Sequence, residues 1–64
     1  MKTIRANKPK ISTAAYHIAQ AATTDNPVSI LQLSKVAEFA QTQVDSGTPE
    51  PEAIAATAVF IKTL

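Results

Sequence analysis

The sequence predicts an all-α fold, a small three-helix domain behind a basic, flexible N-terminal arm. Three observations predict it. Apolar residues recur at helical spacing in three stretches. Two clusters of helix-ending and helix-starting residues, around Asn26-Pro27 and around Gly47-Thr48-Pro49, separate those stretches. Alanine is abundant, and the chain holds 1 Gly and no Trp. Sixty-four residues leave room for one domain only. The chain therefore divides into an arm over residues 1–10 and a helical domain over residues 11–64.

The arm carries Lys2, Arg5, Lys8 and Lys10 and no carboxylate. Asn7, Lys8 and Pro9 favour extended backbone over helix, because the residue before a proline is crowded out of the helical region. The remainder has Lys35 and Lys62 against five carboxylates: Asp25, Glu38, Asp45, Glu50 and Glu52. A basic arm thus precedes a mildly acidic body, and such asymmetry marks an interaction tail. The basic start followed by Ala19-Gln20-Ala21 imitates a secretory leader. Ser12, Thr13, Tyr16 and His17 make the intervening stretch too polar for one, so it reads as an arm and a first helix.

The first helix is expected over about residues 12–22. Ile11, Ala14, Ala15, Ile18, Ala21 and Ala22 form a narrow, mostly Ala face, with Thr13, Tyr16, His17 and Gln20 opposite. Small side chains allow close approach of a neighbour but bury little area. The second helix is expected over residues 27–45, with Asn26 as N-cap and Pro27 at the first helical position, where its missing N–H costs nothing. Ile30, Leu33, Ala37, Ala40 and Val44 follow the alternating three–four spacing of a bundle seam. Val28, Val36 and Phe39 fall beside that seam as a second apolar stripe, flanked by Gln32, Lys35 and Gln43; Leu31 also falls off the seam.

Gly47 can take the left-handed conformation that ends a helix. The third helix is then expected over residues 49–63, capped by Thr48, with Pro49 first and Glu50 and Glu52 placed favourably near the positive end of the helix dipole. Ile54, Phe60, Ile61 and Leu64 share a face around Thr57, and Ala55 and Val59 make the other side apolar too. A helix this apolar is usually buried on two sides. A chain this short has little material to cover it. That predicts another chain, or a second copy, as partner.

Composition excludes several classes. Apolar residues are 45% and charged residues 17%, with a net charge of +1, which is unlike a disordered chain. No cysteine is present, so neither a disulfide scaffold nor a Cys-rich zinc site is available. No apolar run approaches the roughly 18 residues a membrane span needs. The expected compartment is cytoplasmic.

Motifs for chemistry are lacking. His17 is the only histidine and has no acidic neighbour in sequence before Asp25, so a metal or catalytic role has no partners. Glu50 and Glu52 are two apart, and helix neighbours lie three or four apart, so they do not form a working carboxylate pair. Ser29, Ser34 and Ser46 have no positioned base. A phosphate cradle needs several glycines, and Gly47 stands alone. The expectation is a protein that is not an enzyme, with no cofactor, no metal and no small-molecule substrate.

The expected function is that of a small accessory or regulatory protein. It would dock on another protein, or pair with itself as a homodimer, through Val28, Gln32, Val36, Phe39, Phe60 and Leu64. The alternative is a DNA- or RNA-binding regulator. There Lys2, Arg5, Lys8 and Lys10 would contact phosphates and Tyr16 would stack on a base. The body offers that alternative little: Lys35 is the one basic group on the second helix, and direct base readout needs several donors on one face.

Overall fold

Each helix begins and ends at residues whose side chains or backbone satisfy the unpaired groups of a helix terminus. The computed structural model describes residues 11–64; the basic arm over residues 1–10 lies outside the described part. Three helices follow in order: α1 (Thr13–Asp25), α2 (Ile30–Asp45) and α3 (Glu50–Lys62). All three pairs of helices are in contact. The architecture is an all-α three-helix bundle, as the periodicity predicted.

Ser12 caps α1, its hydroxyl accepting the Ala15 N–H at 3.2 Å. The Ser12 N–H in turn donates to Oε1 of Gln41 at 2.7 Å, tying the start of α1 to the end of α2. The helix runs three residues past the expected end at Ala22. Thr23 and Thr24 fit there because their hydroxyls donate back to the carbonyls of Ala19 and Gln20. Asn26 then closes the helix, its side-chain amide donating to the Ala22 carbonyl at 3.1 Å.

The expected start of α2 is therefore corrected. Asn26 serves the end of α1, Pro27 lies in the connection, and Ser29 is the N-cap. Ser29 and Gln32 form a capping box: the serine hydroxyl accepts the Gln32 N–H, and the glutamine Oε1 accepts the Ser29 N–H. That arrangement satisfies two orphan donors at once, more than a lone Asn cap followed by proline offers.

Gly47 behaves as expected, with φ at +79°. The Gly47 N–H donates to Val44 and the Thr48 N–H to Gln43, both at 3.0 Å, a Schellman closure of α2. Thr48 is thereby part of the turn. The N-cap of α3 is Pro49, with no side-chain cap, and Pro51 sits in the first turn. Pro49 lies one position before the helix instead of at its first residue.

The core is small and rich in alanine. Its buried apolar residues are Ala15, Ile18, Ala19, Ala22, Val36, Ala37, Ala40, Ala53 and Ile61. Six of these nine are alanines, so close helix approach rather than large side chains fills the interior. Thr57 is fully buried, and its hydroxyl donates to the Ala53 carbonyl at 2.7 Å, which removes the cost of an unpaired polar group. No buried side-chain polar atom among the described residues lacks a partner. Ile11, Val28, Val44, Ile54 and Phe60 pack around this centre.

The core face of α2 is rotated from the expected seam. Val36 joins Ala37 and Ala40 inside, whereas Ile30 is 86% and Leu33 43% exposed. α2 packs on both neighbours at once, so its buried face centres between the two stripes read from the sequence. On α3 the face around Thr57 is inward as expected. Its outer side leaves Ala55 and Val59 in solvent, so most of its large apolar residues are covered within this one chain.

Candidate interaction surface

The antiparallel α1–α2 and α2–α3 connections give the bundle two distinct ends. At one end α2 begins, and α1 and α3 finish. There Ile30 and Leu31 are 86% and 84% exposed, and Leu33 and Leu64 are partly so. The capping box holds the first turn of α2, so the Ile30 and Leu31 side chains project from a fixed backbone. Nothing local calls for them. A first helical turn favours acidic or small polar residues, and α2 has no acidic residue in that turn. Two adjacent large apolar side chains in water form the most exposed apolar feature among the described residues. Scattered single exposures such as Val59 are ordinary.

The stripe expected to bind a partner is distributed differently. Val36 is fully buried and presents no side-chain surface. Phe39 and Phe60 stack on one another, with ring centroids 4.4 Å apart and planes within 8°. Both rings, with Val28 and Gln32, are half-buried. Phe39 thus spends one ring face on α3, and Phe60 also packs against the core. Leu64 is 43% exposed, at the end of α3. Of the alternative set, Lys2, Arg5, Lys8 and Lys10 lie outside the described residues. Tyr16 is exposed on the polar face of α1.

The opposite end is built differently. The start of α1, the α2–α3 turn and the start of α3 surround an open cleft of about 480 Å³, lined by Ala14, Ile18 and Val44 together with Thr13, Thr48 and Glu50. His17, whose nearest carboxylate in sequence is Asp25, here meets Glu50: Nε2 and Oε2 are 2.9 Å apart. Both side chains are more than half exposed, so the pair contributes at most about 1 kcal/mol. No signal in the sequence joins them, since they come from α1 and α3. Asp45, Glu50 and Glu52 are all exposed at this end, whereas Lys35, Lys62 and Asp25 are exposed toward the other.

Comparison of the chain with protein-family models, with curated proteins and with solved structures gives no match. The surface is therefore read on its own chemistry. No described helix is long and apolar enough to cross a membrane. No group of three or more His, Cys, Asp or Glu side chains that could hold a metal ion occurs among the described residues. The sequence marked Ile30 and Leu33 as seam residues and Leu31 as a misfit. Their common exposure at one end was legible only in the Ser29-to-Gln32 capping pattern, which fixes where α2 begins.

Proposed function

We propose that the protein is a small, non-catalytic docking module that binds another polypeptide chain through the apolar end of α2. The observation that carries this reading is the near-complete exposure of the adjacent side chains Ile30 and Leu31 on a capped, rigid first turn. Removing such side chains from water stabilises a complex by roughly 25 cal/mol per Å² of apolar area. Holding them on a preformed turn lowers the entropy lost on binding. Leu33 and Leu64 extend the apolar area, and the exposed parts of Val28, Gln32 and the Phe39–Phe60 pair give it a semi-polar border. The patch is smaller than the roughly 800 Å² per partner of a standard stable interface. A reversible contact suits it better than an obligate one.

The test is site-specific photo-cross-linking in cells that express the protein, with the cross-linker placed at Leu31 or, as control, at the exposed polar position Gln20. The reading expects discrete cross-linked species from position 31 and none from position 20. No species from position 31, or the same species from both positions, would contradict it.

A further inference from the structure

We infer that one occupant of the apolar end is the cleft end of a second copy of this chain, so that molecules associate head to tail. The inference rests on the docking reading above and names a partner for it. Both halves of such a contact are present on one molecule. Ile30 and Leu31 project at one end with 86% and 84% of their surface in water. At the other end lies an open cleft of about 480 Å³, with Ala14, Ile18 and Val44 among its lining residues. That volume falls in the range of roughly 300–1,000 Å³ in which proteins receive bound groups. Nothing would limit a side chain entering over the turn: a carbon added at Gly47 would meet no atom within 4 Å.

Charge is segregated in the same sense among the described residues. Asp45, Glu50 and Glu52 are exposed around the cleft end. Lys35 stands one helical turn after Leu31, on the same face of α2, where residues four apart are neighbours. A molecule entering with Ile30 and Leu31 would bring Lys35 toward those carboxylates. The contact joins two different surfaces, so it is heterologous. Such a contact continues into an open chain, or closes into a ring, rather than stopping at a two-fold dimer.

Sedimentation equilibrium on the full chain tests this, with two variants. One removes the projection, Ile30→Asp with Leu31→Asp. The other obstructs the cleft, Ala14→Arg. The three altered positions are exposed, and circular dichroism checks that each variant keeps its helices. Thr13→Tyr, also exposed and lining the cleft, replaces Ala14→Arg if that variant unfolds. The wild type is expected to gain mass beyond two copies as concentration rises toward roughly millimolar, the regime of weak contacts. Each variant alone should associate at least about thirtyfold more weakly, the scale of losing one anchoring side chain. An equimolar mixture of the two should form pairs and nothing larger, because it retains one intact projection and one intact cleft.

A wild type that stays monomeric throughout overturns the second copy as partner, while cross-linking at Leu31 decides the docking reading separately. A two-fold dimer broken only by the Ile30/Leu31 variant overturns the cleft as receptor and keeps the docking end. Self-association untouched by either variant overturns both.

Discussion

Phe39 and Leu31 lie on one helix, two turns apart, and their surroundings differ sharply. Phe39 is half-buried against the ring of Phe60. Leu31 is 84% exposed and has no comparable cover. The difference follows from what each position faces. α3 returns antiparallel to α2 and lays Phe60 on Phe39. The first turn of α2 protrudes beyond that pairing at the end of the bundle, held by its own capping box. Large apolar residues therefore serve two purposes here. In an alanine-filled interior, the stacked rings provide much of the bulky contact. At the end of the bundle, Ile30 and Leu31 contribute nothing comparable to the fold and are free to contact another chain.

Substitutions can break or sharpen that contrast. The largest expected effect is at the stack. Phe39→Ala should destabilise the fold by about 2–3 kcal/mol in urea unfolding, somewhat below the range for a fully buried ring, since Phe39 is only half-buried. A cost below about 1 kcal/mol would place Phe39 with Leu31 as a surface residue and dissolve the contrast. Gly47→Ala comes next. The left-handed backbone at φ +79° should cost about 1 kcal/mol with a side chain present, read as a lower unfolding midpoint. Ser29→Ala should also cost about 1 kcal/mol through the lost cap. It sharpens the account further, because a loosened first turn should weaken association as well as stability. Glu50→Gln, which weakens the exposed contact with His17, should change stability by less than about 1 kcal/mol.

Much of the fold was legible in the chain itself. Gly47 marked the end of α2, and the spacing of Ile54, Thr57 and Ile61 marked the inward face of α3. The start of α2 was misread because Asn26-Pro27 is a good capping pair in isolation. The competing pattern, Ser29 followed by Gln32, satisfies more donors and prevails. The rotation of α2 was not legible. Both Ile30–Leu33–Ala37 and Val28–Val36–Phe39 have helical spacing, and only packing on two neighbours chooses the arc between them. That choice buried Val36 and exposed Ile30, so the expected binding stripe and the exposed surface coincide only in part. The meeting of His17 with Glu50, and the cleft beside it, depend on three segments far apart in sequence and leave no local trace.

The central claim is that Ile30 and Leu31 are dispensable for the fold of the monomer while Phe39 is not. Urea unfolding of the Ile30→Asp/Leu31→Asp variant, measured beside Phe39→Ala at a concentration too low for association, tests it most directly. The account predicts a double variant within about 0.5 kcal/mol of wild type, as for surface positions without structural partners. A loss of 2 kcal/mol or more, on the order of a core truncation, would show that these side chains support the fold, and would contradict the claim.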